Sequence, residues 1–172
     1  LLTLLYGSRD CLVEKDHSLF RLNRPILETH AVSDSGYFYI HYDKTGIKAP
    51  SLTDNDNNGI PDYVDEVSRI ADSSRHVLVN IMGYTSEPSD EDGIYDIYIW
   101  NYGAGEYGYN HSEGNGKSYL QIDNNYEGYT SPVPPNKLMQ IAVAHEYFHA
   151  IQRGYKTNYG NDSYFLEMSS MW

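Results

Sequence analysis

The chain of 172 residues carries a single cysteine, Cys11, so no disulfide can form within it, and its stability must come from a packed core or from bound ions. No apolar run approaches the roughly 20 residues that cross a bilayer as a helix, and Leu1 to Leu5 is too short for the core of a signal peptide. A helical membrane span is excluded. Basic residues are also scarce: 12 Lys and Arg stand against 24 Asp and Glu, a net charge of -12. That sign repels a phosphate backbone, which argues against nucleic acid as a partner. It suits an exported protein or a cation binder, although a plain solvated surface has the same balance. There is no initiator Met, and the chain stops abruptly at Trp172 after an apolar cluster. It reads as a processed or trimmed piece.

What is present is enough for one core: 40% of the residues are hydrophobic and 14% aromatic, which predicts a single domain. Residues 1–34 mix Leu, charges and one Pro without sustained periodicity and read as an N-terminal arm or the remnant of a pro-segment, leaving residues 35–172 as the domain. Aromatic and β-branched runs predict strands at 37–42, 94–100 and 118–123. Between the last two, the Gly-, Asn- and Tyr-rich stretch 101–117 reads as a long loop. Val64, Val67, Ile70, Ala71, Val77, Leu78 and Ile81 recur at helical spacing from Pro61 to Met82, with Gly83 as the C-terminal stop. A second helix is predicted from a cap at Asn136 to a stop at Gly154. Strands interleaved with two long helices, without regular βαβ alternation, predict an α+β fold with a mixed or antiparallel sheet.

The second helix contains His145-Glu146-Tyr147-Phe148-His149, an HExxH motif. Residues four apart on a helix differ by about 40° in azimuth and about 6 Å in rise, so both imidazoles can grip one ion. Glu146 is turned about 100° from His145, beside the open coordination position rather than on the metal, where it can take a proton from a bound water. The bland alternative is a helix whose histidines merely hydrogen-bond in the core. Catalytic zinc needs a third protein ligand. The extended metzincin pattern would put Gly and His where this chain has Gln152 and Tyr155, so that arrangement is excluded. Downstream, Glu167 lies in an apolar, helix-like segment where an unpaired carboxylate would be costly, and is preferred. Asp162, in a turn after Gly160-Asn161, is the alternative.

The segment Asp54-Asn55-Asp56-Asn57-Asn58-Gly59-Ile60-Pro61-Asp62-Tyr63-Val64-Asp65 has the ligand pattern of an EF-hand loop. Side chains of Asp54, Asp56, Asn58, Asp62 and Asp65 and the carbonyl of Ile60 supply oxygens for calcium, and Gly59 permits the sharp turn. An Asx-rich turn capping the following helix needs no metal and is the alternative. Asp rather than Glu at the twelfth position, and a single such loop, predict a structural site rather than a sensor. Weak structural calcium sites suit extracellular fluid, which predicts a secreted or cell-surface protein.

Three stretches together carry a resemblance: Gly36 to Tyr42 leading to Thr45-Gly46, Asp54 to Val64, and Ala144 to Gln152 followed by Leu166 to Trp172. With these the chain resembles the gluzincins, zincins with HExxH and a Glu on a following helix. It is most similar to a family of bacterial metalloproteases assigned as secreted, known from Myxococcus-type sequences. The resemblance implies a zincin-like sheet packed on a backing helix and an active-site helix. It also implies zinc on His145, His149 and Glu167, and a peptide substrate along an edge strand, for which 118–123 is the candidate. One departure is that the carboxylate often found four residues after the third ligand is replaced here by Met171, with Ser170 as a weak substitute.

The sequence therefore predicts zinc-dependent hydrolysis of peptide bonds by an exported metallopeptidase. The alternatives are a non-catalytic, calcium-stabilised surface or adhesion domain, and a latent or truncated peptidase. For latency, Cys11 could ligate the zinc from the arm, against the plainer reading of an incidental thiol. Among 18 tyrosines, Tyr155 and Tyr164 lie nearest the motif as candidates to steady an oxyanion.

Overall fold

The computed structural model describes residues 24–88, 92–156 and 163–170. Cys11 and Asp162 lie outside them. The order of elements is β1 (Thr29–Val32), β2 (Phe38–Tyr42), α1 (Asp62–Arg75), β3 (Tyr95–Trp100), β4 (Gly108–Gly114), β5 (Lys117–Asp123), α2 (Pro135–Tyr155) and α3 (Ser163–Ser169). The strands form one mixed sheet in the order β1-β2-β3-β5-β4. β2, β3 and β5 run parallel, while β1 and β4 pair antiparallel at the two edges. The fold is α+β, as its residue pattern predicts.

Alternation sets the faces. Phe38, Ile40 and Tyr42 of β2, Tyr95, Ile97 and Ile99 of β3, and Leu120 and Ile122 of β5 join one core with α1 and α2. The opposite face presents His41, Tyr98 and Tyr119, with His41 stacked on Tyr98 at 4.4 Å. There Arg24 pairs with both Asp96 and Glu113, which ties the chain ahead of β1 across the sheet.

α1 starts after Pro61, whose ψ of 138° is extended, and Asp62 and Asp65 in its first turn oppose the positive end of the helix dipole. Its buried Val64, Val67, Ile70 and Ala71 lie on one side. The helix continues through a π-helical segment, His76–Ile81, and the chain turns at Gly83, whose φ of +77° is open to glycine without strain. α2 begins with Pro134 in the cap position and Pro135 as the first helical residue. Asn136 therefore lies within the first turn rather than at the cap, because proline's fixed φ and missing N–H suit that start. Gly154 does not stop the helix, which runs one residue further.

Two sequence expectations fail at the sheet edges. The stretch 101–117 is not all loop, since it contains β4. Strand 118–123 is not an edge: β5 lies between β3 and β4. The cause is the same. An edge strand is hydrogen-bonded on one side only and here covers the core with Gly108 and Asn110, so GYNHSEG lacks the β-branched run that reveals a central strand. Thr29–Val32, in the stretch read as an arm, escapes notice likewise: one edge, four residues.

Candidate metal centre

α2 is held in its roll by Val143, Tyr147, Ala150 and Ile151, all 0% exposed. Burial of each large apolar side chain is worth about 1.5–3 kcal/mol, so rotating the helix is costly. Counting about 100° per residue, His145, His149 and Gln152 fall about 180–240° round from Val143, on the side away from that contact. The packing of four apolar residues thus aims the two histidines.

Their rings converge. His145 Nε2 and His149 Nε2 are 3.1 Å apart, and the carboxylate of Glu167, brought over by α3, lies 3.3 Å from each, Oε2 to His145 and Oε1 to His149. These three residues form a group of ligand atoms able to hold a metal ion. Burial pushes the Glu167 carboxyl up, but hydrogen bonds and charge from the two imidazoles outweigh it and hold its pKa well below the usual carboxylate range. Burial likewise disfavours a charged His149, yet the contact with Glu167 and the charge of Glu146 raise its pKa above the ordinary histidine value.

Glu167 arrives by a different route from that expected. α3 has no buried residue; Tyr164, Phe165 and Met168 are exposed, so its carboxylate is not trapped in a core. Gln152 holds it in place instead. The Gln152 Nε2 donates to Leu166 O at 2.9 Å and Ser169 Oγ at 2.8 Å, while its Oε1 stands 2.7 Å from His149 Nδ1. A protonated Nδ1 donating there leaves Nε2, which faces His145 and Glu167, as the unprotonated nitrogen. Gln152 thus links His149 to α3, the kind of supporting contact that the sequence reading sought near Met171. Ser170 does not fill that role, because its Oγ bonds Glu167 O at 2.8 Å. The Gln152 signal was visible, three residues after His149 and so on the same helix face, but its partner segment was not.

Glu146 is buried, at 5% exposure, and does not belong to the ligand group. Its side chain lies against β4: a Cβ placed at Gly108 would stand 3.2 Å from Glu146 Cγ. Glycine at 108 allows the edge strand to approach the carboxylate closely. Tyr102, in the segment after β3, donates to Gln121 Oε1 at 2.8 Å; its pKa is raised by burial first and then by the charge of Glu146. It was not singled out in the sequence. Tyr155, which was, accepts the Thr85 N–H at 2.7 Å, and Tyr164 is 61% exposed.

At the other end of α1, oxygen atoms of Asp54, Asp56 and Asp62 lie within 4.8 Å of one another. Asp54 accepts the N–H groups of Asn58 at 3.2 Å and Gly59 at 2.9 Å, and Asp65 accepts Asn58 Nδ2 at 2.9 Å. Asn58 Oδ1 takes the Ile60 N–H at 2.7 Å. Asn57 and Gly59, at φ 59° and 89°, turn the loop so that these side chains point inward.

Comparison with protein-family models, with curated proteins and with solved structures found no match to this chain. What the site can do follows from its own donor set.

Proposed function

We propose that the chain is an exported zinc-dependent peptidase in which His145, His149 and Glu167 hold the metal and Glu146 is the catalytic base. The triangle of residues His145, His149 and Glu167 carries this reading. Two ligands about 2.0–2.1 Å from a tetrahedral ion stand about 3.3–3.4 Å from each other; the two imidazole nitrogens are 3.1 Å apart, and each has its own oxygen of the Glu167 carboxylate at 3.3 Å. One such distance could be an ordinary hydrogen bond. Three at once, between two imidazole nitrogens and a carboxylate, outline a site for a cation that accepts both N and O donors, which zinc does and calcium does not.

Zinc held by His145, His149 and Glu167 would supply an acidified water and a polarised carbonyl oxygen. Glu146, one residue from a ligand yet outside the triangle, accepts the water's proton and later delivers it to the leaving amine. β4, which ends the sheet among the described residues, runs beside Glu146, and an edge strand is where an extended peptide adds its backbone. The purified protein should contain one zinc per chain and digest casein, with activity lost to 1,10-phenanthroline and restored by zinc. A chain that takes up no zinc, or cuts equally well under the chelator, overturns the proposal.

Gln152→Ala should weaken zinc binding about 10–100-fold, the usual effect of removing an outer-shell partner. Competition with a zinc indicator measures it, and an affinity within twofold of the wild type rules out the orienting role.

The loop from Asp54 to Asp65 is proposed to bind calcium for stability, and an extracellular location follows because weak sites fill only where calcium is millimolar. The inward carboxylates of Asp54, Asp56 and Asp62 support it. Relative to EGTA, 10 mM calcium should raise Tm by about 3–10 °C, the shift that one weak site gives in a chain of this size. The pair Asp54→Asn, Asp56→Asn should abolish that shift. A wild-type Tm indifferent to calcium rejects the site.

A further inference from the structure

β4 meets Glu146 of α2 at two points. A Cβ placed at Gly108 would stand 3.2 Å from Glu146 Cγ, 3.1 Å from Gln121 O and 3.6 Å from Ile122 Cγ2, so the bare backbone of the strand lies flat against the glutamate side chain. Two residues on, Asn110 Nδ2 donates toward Glu146 O at 3.4 Å. Gly108 and Asn110 share the face of β4 that turns toward α2, because alternate residues of a strand point the same way.

Both elements are held at this contact. Ahead of Gly108, Tyr107 O accepts the Asp123 N–H at 3.2 Å and the Tyr126 hydroxyl at 2.7 Å, and the Tyr107 ring stacks on Tyr129 at 4.4 Å. Beyond it, Asn110 is 4% exposed and donates to Tyr95 Oη at 3.1 Å and Ser118 Oγ at 3.2 Å. Arg153, in the last turn of α2, donates through Nη2 to Asn110 O at 3.1 Å and through Nε to Asn110 Oδ1. Arg153 follows Glu146 by about two helical turns and so lies on the same side of α2, where its charged fork ties the helix to the strand.

We propose that Gly108 is a positioning residue for the catalytic base: its bare backbone, fixed by Tyr107 on one side and by the Asn110–Arg153 clamp on the other, is the wall that sets where the Glu146 side chain points. This rests on the peptidase reading and adds to it what places the base. Carbon atoms in contact prefer about 3.5–4.0 Å, so a methyl group at residue 108 forces a neighbour aside. Gln121 O belongs to the backbone of β5 and is held in the sheet, whereas the Glu146 side chain turns about its χ angles. It is the glutamate that moves.

The test is Gly108→Ala, assayed with a fluorogenic peptide built on a cleavage site mapped in casein. The variant should keep full zinc content and a KM within twofold of the wild type while kcat falls about tenfold, less than the roughly 100-fold that a misplacement of about 1 Å costs. Placed in Glu146→Gln, where no base remains to be misplaced, the same substitution should leave the residual kcat within twofold, so the two losses do not add. A fall in kcat of less than threefold, a rise in KM in its place, a loss of zinc, or an equal fall in both backgrounds overturns the inference and leaves the peptidase reading intact. Casein left uncut by the wild-type enzyme removes that reading and this inference with it. Should Gly108→Ala fail to fold, Arg153→Leu, which releases Asn110 and with it the strand, goes through the same two backgrounds and is judged by the same limits.

Discussion

Glu146→Gln should retain full zinc content and lose about a hundred- to ten-thousand-fold in kcat, the range that a positioned general base contributes. The carboxamide has the shape of the carboxylate, and residue 146 stands outside the group formed by His145, His149 and Glu167, so metal affinity has no reason to change. What disappears is the acceptor for the water's proton. The loss corresponds to about 2.7–5.5 kcal/mol of transition-state stabilisation. The substitution is also mild for the fold: the backbone contact from Asn110 to Glu146 O is untouched. Metal analysis beside a casein or peptide assay measures both quantities. A variant that turns over within fivefold of the wild type would show that another group takes the proton.

Glu167→Ala should act on the opposite quantity, lowering zinc affinity by more than the roughly 100-fold upper range of an outer-shell loss, with activity lost at limiting zinc. In the proposed site the carboxylate is the ligand that α3 contributes among the described residues, and its two oxygens meet the two imidazoles at 3.3 Å each. Without it the ion has two protein ligands where catalytic zinc uses three. Because the imidazoles hold Glu167 ionised in the zinc-free fold, the change should also lower the Tm of the zinc-free protein modestly, while α3, which buries none of its residues, gives no core to disrupt. Chelator competition and melting curves on the same samples separate ligand loss from unfolding. An affinity equal to the wild type would pass the third-ligand role to another residue, with Asp162 the first to substitute.

The opposite responses expected from neighbours on one site follow from how α2 is placed. Its apolar side is anchored by Val143, Tyr147, Ala150 and Ile151, and Tyr147 is further pinned through its hydroxyl to Glu87 at 2.5 Å. The histidines lie on the far side, where they face one another and Glu167. Their rings cross at 87° with centroids 4.6 Å apart, and the contact is set before any third ligand joins.

The sequence by itself determined whatever depends on local periodicity. His145, Glu146 and His149 are set by one helical turn, the Asp54 to Asp65 loop by turn chemistry around Gly59, and the central strands by their aromatic and β-branched runs, because in each case the interacting residues are neighbours along the chain. It also singled out Glu167, by the cost of an unpaired carboxylate among apolar residues, although α3 turned out to be exposed and the carboxylate pairs with the two histidines instead. Long-range pairing settled the remainder. β4 took the edge that 118–123 was expected to hold, Gln152 became the brace between His149 and α3, and Asn110 with Arg153 joined the edge strand to the end of α2. Apart from the place of Gln152 one helical turn after His149, none of these has a signal in spacing or composition, since each depends on which backbone and side-chain groups meet after the chain has closed on itself.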